Sequence, residues 1–427
     1  MRTTISAIRA RRIWDSRGRP TVEAEVALAG GAAGRGVAPA GASRGRYEAT
    51  DLRDGGSAFG GLDVQRAIDN VNSVIAGALI GHDAADQEHA DSLILELDQS
   101  PTKKRLGGNA CIAVSMAVLQ AAANADGVPL WKYLAQGAEV RLPLPEIQIF
   151  GGGAHAGGRI DIQDLLIMPV GAHSFSRALE MAAEVYLAAG RIMEERGKRS
   201  GVADEGGWWP NFDTNEEAIE TLLSSIEQAG FQPGEDVTIS LDLAASEFYQ
   251  GGQYILGLEG RKLSGQEWAD LLYGWLQKYP IISIEDPVAE DDIQGMASFT
   301  ARAGANLQIV GDDFFVTNAG RIREGMAQKC CNAVLLKPNQ AGTITETRRA
   351  LEAAKAAGFS CIVSARSGET EDTTVMHLAV GWDAGQLKVG SFARSERMAK
   401  WNEGIRIEDD PQARLGYVGG SAVPFRR

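Results

Sequence analysis

Six ionisable residues, Asp242, Glu285, Asp312, Lys337, Arg366 and Lys388, each stand where a short apolar run gives way to a polar turn. Carboxylates brought close together repel strongly unless a cation sits among them. A hard divalent ion with oxygen ligands, most simply Mg2+, meets that need. A lysine beside a metal and a second cation has its pKa lowered, which makes Lys337 a candidate general base. In VSARSGETED (363–372), Arg366, Ser367 and Gly368 offer a guanidinium fork, a hydroxyl and an open backbone, the groups that grip a phosphate. A base, a metal and an anion cradle together suit removal of a proton beside a carboxylate. The competing reading is that each acid only caps the next helix and each lysine only makes a surface ion pair. It suffices for one residue, but not for three acids and three bases on successive runs.

For these residues to meet, the runs that carry them must be neighbours. DLLIMPVG, TISLDLA, ISIEDPV, QIVGDD, AVLLKPN, CIVSARSG and QLKVGS are separated by helical stretches such as ETRRALEAAKAAG (346–358). The later runs recur roughly every 25 residues, the length of a strand–loop–helix–loop unit. With EIQIF they make eight, so a closed parallel (β/α)8 barrel with its site on the C-terminal rim is expected. A doubly wound open sheet is the alternative. Upstream, TVEAEVAL alternates like a strand, and 62–137 turns helical with VQRAIDNVNSVIAGAL and CIAVSMAVLQAAANA. The fold expected is therefore α/β, with an N-terminal α+β capping domain over 1–138 and the barrel over 139–427.

Bulk properties narrow the partners. The 427 residues are 44% hydrophobic and 23% charged, with a net charge of −14. That charge argues against nucleic acid or an anionic membrane, but not against a small anion in a local cationic pocket. The N-terminus lacks the apolar core of a signal peptide, and CIAVSMAVLQAAANA (111–125) is broken by Ser, Gln and Asn. Cys111, Cys330, Cys331 and Cys361 have no metal-binding spacing and read as buried free thiols in a reducing cytoplasm.

Ten ordered blocks resemble the enolases along almost the whole chain. They are WDSRGRPTVEAEV (14–26), AGASRGRYEATDLRDG (40–55), GGGAHAGG (151–158), ADEGG (203–207), LDLAASEFY (241–249), SIEDP (283–287), VGDD (310–313), LLKPNQAGTITET (335–347), RSGETED (366–372) and GQLKVGSFARSER (385–397). The resemblance implies an enolase-type barrel with Mg2+ on Asp242, Glu285 and Asp312, and Lys337 as the base that takes the α-proton. It implies Lys388 at the substrate carboxylate and Arg366 with Ser367 at the phosphate. Glu205, in a mobile DEGG loop, would help the β-hydroxyl leave, with His155, Gln163 and Asp164 near the substrate. It also implies a homodimer bridged by Glu23 and Arg406.

The chain departs from that pattern in four places. Ala40 stands where the family has a serine that ligates a second Mg2+, so one metal site is expected and the second is weakened. Asp164 replaces a glutamate, Ala365 replaces a histidine, and Trp208 and Trp209 replace small or aliphatic residues. Loss of an imidazole leaves space unless something fills it. The expectation is thus a Mg2+-dependent lyase eliminating the β-hydroxyl of a modified, phosphonate-bearing relative of 2-phosphoglycerate, as in carboxyphosphonoenolpyruvate synthase. The alternatives are an ordinary phosphopyruvate hydratase and a non-catalytic enolase-like binding protein.

Overall fold

Three N-terminal strands, β1 (Ile5–Trp14), β2 (Pro20–Leu28) and β3 (Ala33–Val37), form an antiparallel meander in the computed structural model. The structure describes residues 1–423; the end of the expected second domain, 424–427, lies outside the described residues. Helices α1 (Gln87–Leu97) and α2 (Gly108–Asp126) follow, and α2 packs on β2 and β3. By length and composition α2 could cross a bilayer, contrary to the sequence expectation. Its polar interruptions are few, and nearly all its residues are buried inside this domain. All four cysteines are buried and unpaired.

Eight strands then close a barrel: β4 (Leu144–Gly151), β5 (Asp164–Met168), β6 (Thr238–Asp242), β7 (Ile281–Glu285), β8 (Gln308–Gly311), β9 (Ala333–Leu336), β10 (Ser360–Ser364) and β11 (Gly385–Gly390). These are the eight runs expected, in sequence order around the barrel. The all-parallel expectation fails at one strand, because β5 runs antiparallel to both β4 and β6. The cause is the connection. A parallel crossover usually needs a helix, and the stretch from 152 to 163 holds only the short 3-10 turn Gly153–Ala156. The reversal matters for the site. It puts the first residue of β5, Asp164, in register with the last residue of β6, Asp242.

The helices around the barrel are α3 (Phe175–Glu195), α4 (Asn215–Gln228), α5 (Gly265–Lys278), α6 (Ile293–Ala303), α7 (Ala319–Ala327), α8 (Ile344–Ala356), α9 (Thr374–Gly381) and α10 (Ser395–Glu408). Side chains of Ser174, Thr214, Ser264, Asp292, Asn318 and Thr343 cap six of them by accepting backbone N–H groups. None of the six rim residues does so, which leaves their charges for another purpose.

Candidate active site

At the barrel mouth the six rim residues converge, all of them buried. Asp242 and Glu285 end adjacent strands as register partners, and each places an oxygen 2.8 Å from Lys388 Nζ on β11. Asp164 Oδ2 lies 3.4 Å from the same nitrogen. Lys337, just after β9, contacts Asp312, whose other oxygen accepts from Gln340 Nε2 at 2.9 Å. Burial, and then the charges of Asp242 and Asp312, push the Glu285 carboxyl well above its usual range. Glu285 Oε1 has no hydrogen-bond partner among the described residues. A crowd of oxygen donors with one orphaned member fits a hard divalent cation, so the residues present suit Mg2+.

Lys337 departs from expectation. Burial, the largest influence, lowers its pKa, as do Arg366 and Lys388, but Asp312 and Glu285 together raise it, and the net direction is upward. Its direct pairing with Asp312 is the reason. Lys388, surrounded by Asp242, Glu285 and Asp164, is likewise held well above its usual value despite burial.

A second group assembles where β4, β5 and the 203–209 loop meet. His155 Nδ1 lies 2.9 Å from Asp164 Oδ1, and His155 Nε2 lies 3.8 Å from Glu205 Oε1. Burial disfavours the imidazolium, but Asp164 and Glu205 overcome it and raise the His155 pKa to about 9. Gln163 donates to Asp242 Oδ2 at 3.1 Å. The DEGG loop is fastened rather than loose: Ser391 N–H donates to Glu205 O at 2.9 Å, and Gly207 N–H donates to Gln148 Oε1 at 2.9 Å. Gln148 also donates to Asp164 and was not foreseen. Glu146, buried near Lys388, was missed as well. The alternation in EIQIF, with polar residues at 146 and 148, was the available signal.

The third group joins the two domains. Arg366 donates to Glu48 at 2.9 Å and to Ser43 O at 3.0 Å, both on the N-terminal segment 40–48. Ser367 Oγ accepts from Ala42 N–H at 2.6 Å. Buried Arg17, also unforeseen, reaches Ser367 Oγ at 3.4 Å and Ala40 O at 2.8 Å. SIEDP and VGDD each hold a second acid that sequence reasoning passed over. Asp286 accepts from the N–H groups of Asp312 at 3.0 Å and Asp313 at 2.8 Å. Burial, Asp312 and Asp242 raise its carboxyl to about 8.

These groups line a small, nearly filled cavity whose wall includes Ser43, His155, Glu205, Lys337, Ala365 and Arg366. Trp208 does not fill the space beside Ala365. It turns toward α3, stacking on Tyr186 at 4.7 Å. Glu23 and Arg406 do not meet within the chain: Glu23 pairs with Arg11 at 2.9 Å, and Arg406 with Glu403 at 2.9 Å.

Comparison with known proteins matches both parts of the chain. A family model described as the N-terminal domain of enolase fits residues 5–134, and one described as the enolase C-terminal TIM barrel domain fits 139–424. The chain is 50% identical over 408 residues to Enolase 1 of Desulfitobacterium hafniense (strain Y51), covering 95% of this chain and 93% of that protein.

Proposed function

The chain belongs to the enolase family, and from that premise we propose that it is a phosphopyruvate hydratase, a hydro-lyase converting 2-phosphoglycerate to phosphoenolpyruvate. The observation that carries this reading is the 50% identity to Enolase 1 across both domains. The convergent rim charges agree with it and argue against a purely non-catalytic binding protein. The phosphonate-bearing substrate suggested by Ala40 and Ala365 gains no support from the similarity, which favours the ordinary hydratase.

In this reading Lys337 takes the α-proton. Its amine must be neutral to do so, so the Asp312 contact that keeps it charged has to loosen. Lys388 faces the substrate carboxylate. Mg2+ held by Asp242, Glu285 and Asp312 supplies, when bound, positive charge for a carboxylate taking up a second negative charge. Glu205 gives a proton to the β-hydroxyl as the carbon–oxygen bond breaks, and water leaves. His155, between Asp164 and Glu205, holds that acid in place, while Gln163 steadies Asp242. Arg366 and Ser367 grip the phosphate, with Glu48 and Ser43 O giving way to it.

One Mg2+ belongs to this proposal, since Ala40 brings no hydroxyl for a second and its carbonyl already accepts from Arg17. A homodimer and cytoplasmic residence belong to it too. The test is turnover of 2-phosphoglycerate with Mg2+, followed by the ultraviolet absorbance of the enol phosphate. Robust turnover is expected. Failure there, with turnover of an analogue carrying a carboxyl group on phosphorus, would restore the modified-substrate reading.

A further inference from the structure

Trp208 lies three residues after Glu205, and the chemistry above makes no use of it. Its surroundings are unusually complete for a half-exposed loop residue. The indole stacks on buried Tyr186 of α3, with ring centroids 4.7 Å apart and planes within 15°. Its Nε1–H donates to Tyr186 O at 2.9 Å. The Arg199 guanidinium lies 5.4 Å from the indole centroid. On α3 the residue beneath the indole is Gly190, where a Cβ would come within 2.6 Å of the ring. On the strand side, Trp208 N–H donates to Ile149 O at 2.8 Å, tying the loop to β4.

The stacked Tyr186 reaches past Trp208. Its hydroxyl donates to Gly206 O at 3.0 Å, the carbonyl next to Glu205. Burial raises this phenol to about 12, so it remains a donor throughout the neutral range. A helix, a ring pair and one hydroxyl thus fix the backbone on the C-terminal side of Glu205. The Ser391 N–H to Glu205 O bond fixes it from the barrel side.

We propose that Trp208 and Tyr186 are positioning residues that hold the Glu205 carboxylate at His155 for the elimination step. The inference rests on the reading of Glu205 as the acid of that step. Neither aromatic lines the cavity, so both act through the loop. Stacking and cation–π contact resist its displacement, and misplacing an acid by an ångström can cost a large factor in rate.

The experiment separates the two halves of the reaction. Wild type and the variants Trp208→Ala, Trp208→Phe, Tyr186→Phe and Glu205→Gln are given 2-phosphoglycerate and Mg2+ in deuterated water. Turnover and exchange of the α-hydrogen are both measured. Trp208→Ala is expected to lower kcat by about 10- to 100-fold while exchange at the α-carbon continues, so the ratio of exchange to elimination rises. Tyr186→Phe should move the ratio the same way by less, and Trp208→Phe should recover most of the elimination rate. A parallel loss of exchange and elimination in Trp208→Ala, or no change in either, overturns the proposal. If Glu205→Gln leaves the ratio at the wild-type value, the role assigned to Glu205 is wrong instead. Should Trp208→Ala fail to fold, Tyr186→Phe, which removes a single hydroxyl, decides alone: an unchanged ratio overturns the proposal.

Discussion

At the barrel mouth Asp312 is the counter-ion of Lys337 and one of the three carboxylates proposed above to hold Mg2+. Glu285 shows the cost of that crowding, with one oxygen orphaned among the described residues and its carboxyl pushed well above its usual range by burial and Asp242. Mg2+ should therefore stabilise the folded protein, by about 2.7 kcal/mol at a hundredfold excess over Kd. Differential scanning fluorimetry would show this as a rise in Tm, and Glu285→Gln should shrink it. An equal rise in that variant would place the ion elsewhere. His155 makes a pH prediction. Its pKa rises from 6.5 to about 9 on folding, so its stabilising contribution is complete below 6.5 and is lost as pH climbs through 9. Urea denaturation across that range should show stability falling with pH, and His155→Gln should flatten the slope.

At the scale of elements, the segment 40–48 is the part of the N-terminal domain that closes over the barrel. It is latched at its far end, where Arg46 donates to Asp291 at 2.8 Å and Arg321 lies 4.2 Å from the Tyr47 ring centroid. Gly41 lets the segment approach Arg366, since a Cβ there would fall 1.9 Å from Arg366 Nη2. Overpacking of this kind costs about 1–3 kcal/mol. Gly41→Ala should therefore raise KM for 2-phosphoglycerate by roughly 5- to 150-fold, with a smaller effect on kcat. Steady-state kinetics would reveal an unchanged KM if the segment need not seat so closely. None of this approach was legible in AGASRGRYEATDLRDG, because a glycine in sequence does not name the atom it must avoid. The eight barrel strands were legible because each is a short apolar run, and six of them end in a charge. The direction of β5 was not, since period and composition are the same for a strand run either way. Only the absence of a helix between 151 and 164 carried that information. Gln148 and Arg17 escaped notice for a related reason: their partners are distant in sequence.

For the whole molecule, a net charge of −14 makes two copies repel at long range, so any dimer must rely on local charge complementarity. The family resemblance pairs Glu23 of one copy with Arg406 of the other, and the state of both residues suits such an exchange. Glu23 is a buried carboxylate already flanked by Arg11 at 2.9 Å and Arg35 at 3.9 Å. Arg406 has a side chain 66% exposed, and among the described residues its ion-pair partner is Glu403, one helical turn away. Such an exposed pair is worth little and is easily traded for a desolvated partner. Breaking an ion pair inside an interface costs about 3–5 kcal/mol, and twofold symmetry applies each contact twice. Arg406→Glu should therefore give a monomer by sedimentation velocity at concentrations where the wild type is dimeric. Adding Glu23→Arg to that variant should recover association. If Arg406→Glu sediments as the wild type does, this pair does not hold the dimer, and the interface must draw its strength from apolar contacts away from Glu23.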